Sequence, residues 1–289
     1  MSWFFLSLLA AFSLATSDAV TKKFFSDNTP YGMGLIRLGY ALPWLLAALF
    51  FIPWVIPDVT FWLCMLTGLP LEVLAFICYM KALKVSPLSL TVPFLAFTPG
   101  FIILTGWMIL DENITASGLF GILLIIAGAY SLNLSKTQYG ILGPLRAIFT
   151  EPGSRLMLFV SFIYAFTSTI GKLAIIHSNP YFFGTIYNTA LTMIMILFLP
   201  VAAPGALKKF MIQKPVVGLI LGAIVAVTIF SHTLAISMTN VAYMISLKRT
   251  SLLFGVIYGA LWFREEKIAE RLTGAAIMIT GVFIIGWFA

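Results

Sequence analysis

Residues 243–263 read YMISLKRTSLLFGVIYGALWF. Nineteen of these 21 residues suit a hydrocarbon environment, and about 20 such residues carry a helix across one. The two exceptions, Lys248 and Arg249, stand side by side. The stretch predicts a membrane-spanning helix that takes two adjacent cations to depth. A span starting near Asn240 puts Lys248 about 12 Å in at 1.5 Å per residue, against a hydrocarbon half-thickness of about 15 Å. One lysine can snorkel from there, but two adjacent cations cannot both escape cheaply.

The rest of the chain is built the same way. Hydrophobic residues make up 61% and charged residues 9%, where a soluble domain carries roughly 25% charged. With a mean hydropathy of +1.05, the chain cannot cover a water-facing surface. It reads as an integral membrane protein. The first apolar segment runs into DAVTKKFF without a small-residue cleavage site, so it reads as a retained span. Cys64 and Cys78 lie in one apolar segment and suggest neither a disulfide nor a metal site.

Ten spans are expected, at about 2–21, 31–52, 60–81, 87–109, 115–134, 155–176, 181–202, 215–237, 241–263 and 269–288. Turn chemistry separates them: SDNTP, IPDVT, KVSP, DEN, SNP, APG and REEK. The one long loop, about 135–154, divides the chain nearly in half. Shifting the sequence by 153 aligns 82–131 with 235–284. Ala82 then meets Ala235, Phe101 meets Phe254, Gly106 meets Gly259 and Glu112 meets Glu265. Gly121 and Gly128 meet Gly274 and Gly281. At another offset, Pro30-Tyr31 and Gly34 meet Pro180-Tyr181 and Gly184. The expected domains are a five-helix repeat at 1–134, a linker at 135–154 and a second repeat at 155–289. Five is odd, so the second copy enters the membrane inverted. Secondary transporters use this architecture, with the substrate site near the midplane between the halves.

These residues carry a family resemblance. Ala82-Leu83, Glu112 and the Gly121/Gly128 pair recur as Ala235, Glu265 and Gly274/Gly281. The pattern resembles the EamA-type transporters of the drug/metabolite transporter superfamily, and the length and five-plus-five layout agree along the whole chain. The resemblance implies an all-α polytopic fold of ten helices in two inverted five-helix repeats. It also implies transport of a small metabolite, across a family whose substrates run from amino acids and nucleotide sugars to sugar phosphates, cations and drugs. Lys248 and Arg249 are similar in span and order to the phosphate-binding pair of the triose-phosphate/phosphate translocator branch. That branch's fourth-span lysine has no counterpart, because 91–106 contains no charge.

Charge orients the chain. Thirteen of the 17 lysines and arginines fall in the odd-numbered loops, at 22, 23, 81, 84, 136, 146, 155, 208, 209, 214, 264, 267 and 271. The positive-inside rule puts those loops in the cytoplasm and both termini outside. The expected location is the cell (inner) membrane. The net charge of +7 is then membrane topology and calls for no nucleic-acid partner.

Four cations remain inside spans: Arg37, Lys172, Lys248 and Arg249. Asp18 and Glu72 are the interior acids, and His232 lies near the end of span eight. Each interior charge costs roughly 2.5–3.5 kcal/mol on insertion scales. If all face one cavity, it is electropositive and suits a phosphate or carboxylate, which Arg engages as a fork and Lys as a point charge. Polar stripes add candidates: Glu72 with Tyr79 in span three, Tyr164, Ser168 and Lys172 in span six, and Asn188 in span seven. The candidate substrate-binding residues are Lys248, Arg249, Arg37, Lys172, Glu72, Tyr79, Asn188 and Tyr243. Glu72, Asp18 and His232 are candidates for proton coupling. A competing reading makes Lys248 and Arg249 a structural network with Glu72 and Asp18.

The expected function is secondary, alternating-access transport of a small anionic or zwitterionic metabolite, as a monomer or homodimer in the lipid bilayer. The alternatives are export of neutral or cationic amino acids or drugs, and a lipid-phosphate flippase. No P-loop, zinc-protease motif or nucleophile elbow occurs, so the chain reads as neither an ATP-driven pump nor an enzyme, and needs no cofactor.

Overall fold

Proline sets the register of the helices. It stands at the first position of α2 (Pro30–Ala48), α6 (Pro152–Ile176), α7 (Pro180–Ala202) and α8 (Pro215–Ser237). Its fixed φ suits that position, and its missing N–H has no partner to lose there. Side chains complete the starts. Thr29 Oγ1 accepts from Gly32 N at 3.1 Å, and Asn179 Oδ1 accepts from Phe182 N at 2.8 Å. Asp58 Oδ1 accepts from Phe61 N at 3.1 Å and opens α3 (Val59–Val85). The remaining elements are α1 (Ser2–Phe25), a 3₁₀ turn (Val92–Phe97) leading into α4 (Thr98–Leu110), α5 (Ala116–Ser131), α9 (Val241–Lys248), α10 (Ser251–Phe263) and α11 (Leu272–Phe288). The computed structural model describes residues 2–85, 92–131, 151–202, 214–263 and 272–288. Residues 135–150 of the expected linker and the loop residues Lys136, Arg146, Lys208, Lys209, Arg264, Glu265, Lys267 and Arg271 lie outside the described residues, as does the side chain of Lys84, while linker residues 152–154 belong to α6.

The ten expected spans are present as an all-helical polytopic bundle. Among the described residues, six helices are long and apolar enough to cross a membrane, and three shorter apolar helices accompany them. Two expected spans are not simple helices. The fourth starts as a 3₁₀ turn and becomes α-helical only at Thr98. The ninth is interrupted at Arg249-Thr250, between α9 and α10. There the N–H groups of Thr250, Leu252 and Leu253 bond to carbonyls three residues back, at 2.9–3.0 Å. That is a local 3₁₀ tightening of the kind found at functional hinges. Thr250 Oγ1 also donates to Leu247 O at 2.7 Å. At the offset of 153, the two interruptions correspond.

The glycines show how the halves meet. A Cβ on Gly121 would lie 3.0 Å from Gly281 O, and one on Gly128 would lie 2.7 Å from Gly274 O. Helices α5 and α11 therefore cross backbone to backbone, and only glycine admits that approach. Low numbers in one meet high numbers in the other, so the two helices are antiparallel. They are also repeat-related, and antiparallel repeats are inverted repeats. The other packing agrees: α3 lies on α6 as α1 lies on α8, and α4 lies on α6 as α10 lies on α1.

Candidate functional site

A cavity of about 240 Å³ lies between the helices. Arg37 of α2, Glu72 and Tyr79 of α3, Tyr164, Thr167 and Ser168 of α6, Tyr187 and Asn188 of α7, His232 of α8, and Lys248 and Arg249 at the interruption all line it. Adjacent residues of a helix point about 100° apart. Lys248 ends α9 and Arg249, still helical in its dihedrals, caps it, and both line the cavity.

The interior cations have different partners. Arg37 Nη1 donates to Asp18 Oδ1 at 2.5 Å, joining α2 to α1. Asp18 does not itself line the cavity. Lys172 is outside the cavity. Its Nζ pairs with Glu112 and donates to Thr239 O at 2.7 Å. Tyr243 is outside it too. Its hydroxyl accepts from Thr115 N at 3.0 Å, beside Gly118. Both depart from the cavity position read from sequence, and for one reason. Helical periodicity gives the face but not the depth at which a residue meets its neighbours, and these two sit near a loop face.

Among the described residues, Lys248 and Arg249 form no ion pair with an acid. The ion pairs among the described residues are Arg37–Asp18, Lys172–Glu112 and His177–Asp58. Lys248 is near enough to Glu72 and Asp18 to interact with both through charge, but among the described residues it makes no direct ion pair with either. Lys248 Nζ lies 3.3 Å from His232 Nδ1. An ammonium can only donate, so that nitrogen accepts. Arg249 Nη2 donates to Thr98 Oγ1 at 2.7 Å, and Thr98 Oγ1 donates onward to Leu95 O at 2.7 Å. Arg249 is 7% exposed, and its Nε is buried without a hydrogen-bond partner. Tyr187 Oη is likewise buried and unpartnered. A buried unmet polar atom costs roughly 1–3 kcal/mol, and two line the same cavity. Glu72 stands apart from any ion pair, within hydrogen-bonding reach of Thr167.

Thr98 and Tyr187 escaped the sequence reading. Thr98 lies in a stretch with no charge to mark it. Tyr187 falls one position off the polar stripe of Thr185, Asn188 and Thr192, whose side chains turn back to their own helix at 2.7–2.9 Å.

Comparison with known proteins agrees with this geometry. Residues 1–134 match the EamA-like transporter family. A solved crystal structure superposes with a TM-score of 0.73 over 98% of this chain and 94% of that chain, at 14% identity. An identity that low speaks for the fold alone. No curated protein matches the sequence. Through its first five spans, residues 1–134, the chain is similar to the EamA-like transporter family, and over nearly its whole length it shares the multi-pass helical fold of a solved structure.

Proposed function

We propose that the protein carries a small organic anion or zwitterion, bearing a phosphate or carboxylate, by alternating access in the cell membrane. One observation supports this above the others: among the described residues Lys248 and Arg249 face the cavity without an ion-paired carboxylate, and Arg249 keeps an unmet Nε–H. Guanidinium and ammonium together suit an oxyanion, with Arg fixing direction and Lys adding charge. Arg37, Glu72, Tyr79 and Asn188 contact the same substrate. Lys172 and Tyr243 contact it in no state with this geometry. Glu72, Asp18 and His232 are the groups through which a proton couples to movement. The moving units are the two repeats, 1–134 and 155–289, about the 135–154 linker. Both termini face away from the cytoplasm, and a single chain holds a complete site.

The test is thermal stability of purified protein, wild type against Lys248→Gln/Arg249→Gln, with inorganic phosphate, sugar phosphates, carboxylates, amino acids and quaternary amines. A rise in melting temperature with an anion in wild type, lost in the double variant, is the expected result. No response of the wild type to any anion, with a response to a quaternary amine, overturns the reading in favour of a cationic substrate.

A further inference from the structure

The four loops after the even-numbered spans and both described chain ends lie on one face. Asn179 Nδ2 donates to Pro53 O at 3.1 Å, and Ser2 Oγ to Met238 Sδ at 3.6 Å. Ser117 Oγ donates to Phe288 O at 2.8 Å. Beneath this face the cavity ends at Ile175, Phe183 and Ile236, which are 5%, 7% and 1% exposed. These three apolar side chains form a plug at the end of the cavity nearest this face.

Above the plug stands a polar clasp. Glu112 uses both carboxylate oxygens: Oε1 takes Lys172 of α6, and Oε2 accepts Val241 N at 2.8 Å, the first amide of α9. Lys172 continues to Thr239 O in the loop leading to α9. Asn240 Nδ2 donates to Asn113 O at 3.0 Å. One carboxylate thus ties the 111–115 loop, the end of α6 and the start of α9 together. From Val241 to Lys248, α9 is a rigid rod of about 10 Å. Its far end is the interruption that carries Lys248 and Arg249 into the cavity.

We propose that Glu112 and Lys172 are gating residues. Their ion pair holds the first turn of α9 over the plug and keeps the cavity closed to this face, and the opposite state of the transport cycle requires it to part. The pair acts through α9, so Glu112 and Lys172 are positioning residues and touch no substrate. The carboxylate sits where a helix N-terminus favours negative charge, and it neutralises a lysine that would otherwise be costly at this depth. Both interactions are lost together when α9 tips away, which gives a two-position element rather than a gradual one.

The test reads access to the cavity without any substrate. In a Cys64→Ala/Cys78→Ala background, Ser168→Cys places one thiol on the cavity wall. A membrane-impermeant maleimide is applied to sealed vesicles from each side in turn. Glu112→Gln and Lys172→Gln are expected to speed labelling from the clasp face by about tenfold or more, the effect of weakening closure by roughly 1.4 kcal/mol. Labelling from the other face is expected to slow or stay level, and Lys172→Arg to keep the parent's rates. Unchanged labelling overturns the proposal, and so does an equal rise from both faces, which marks general loosening. A second variant keeps Glu112 and Lys172 and replaces the Asn240–Asn113 contact by a covalent one: Asn113→Cys/Asn240→Cys, oxidised to a disulfide. It is expected to block labelling from the clasp face until reduced, and labelling that persists with the disulfide formed overturns the gate even if Glu112→Gln fails to fold. The anion reading stands or falls separately, because no anion enters this measurement.

Discussion

Arg37 and Lys172 each found a carboxylate, and Lys248 and Arg249, against the cavity, form no such pair among the described residues. The first two join elements: α2 to α1, and the end of α6 to the loops over α9. The second two stand where a span is interrupted, against a cavity, with a histidine and a threonine for company. A charge kept in the membrane without a counter-ion costs several kcal/mol. A chain that pairs two cations and leaves two others open has placed the open ones where an incoming anion supplies the missing charge. Paired cations hold the fold, and unpaired cations hold capacity for a ligand.

That contrast breaks down if the two classes respond alike to mutation. The largest expected effect is on the paired side. Asp18→Leu leaves Arg37 buried with no counter-charge, and loss of one partner of a buried pair costs about 3–5 kcal/mol. Unfolding in detergent should show that loss whether or not an anion is present. On the unpaired side, Lys248→Met/Arg249→Met is expected to abolish stabilisation by anions while the ligand-free melting temperature does not fall. A melting temperature that drops as far as in Asp18→Leu would return the pair to a structural role.

Smaller effects sharpen the same comparison. Tyr187→Phe removes a buried hydroxyl that has no partner, so the ligand-free protein should gain up to about 1 kcal/mol, since unmet polar burial is relieved. The anion-induced shift in melting temperature should shrink if that hydroxyl meets the ligand. The smallest effect belongs to the exposed His177–Asp58 contact at 2.6 Å, outside the membrane. The Phe61 amide, and then His177, hold the Asp58 carboxyl below its usual range. A depressed folded-state value contributes stability above the unfolded carboxylate range, which is lost as pH falls through the folded value. Asp58→Asn should therefore flatten the acid side of the melting profile, below about pH 4, and leave neutral pH nearly unchanged.

Much of this was legible before any coordinates. Low charge and long apolar runs dictated a membrane bundle, because hydrocarbon tolerates only helices or closed barrels and nothing here alternates as a barrel strand does. The glycines of α5 and α11 were legible as matches between the repeats, and the structure gives the reason for them: only a missing Cβ lets the two backbones come that close. Lys248 and Arg249 stood out because an interior cation is expensive wherever it lies. Lys172, on a polar stripe, and Tyr243 were candidate substrate contacts, yet they lie toward one loop face, tied to Glu112 and Thr115. A one-dimensional pattern records rotation about a helix but not which neighbour comes within 3 Å.

The sequence by itself determined that the chain spans the membrane ten times, that its halves are inverted copies and that four cations lie inside. Those follow from local transfer energies and from periodicity. Only the tertiary structure decided which cations are neutralised, where span nine breaks and which polar atoms are left unmet. Pairing depends on distances between helices far apart in sequence, and no residue type fixes those alone.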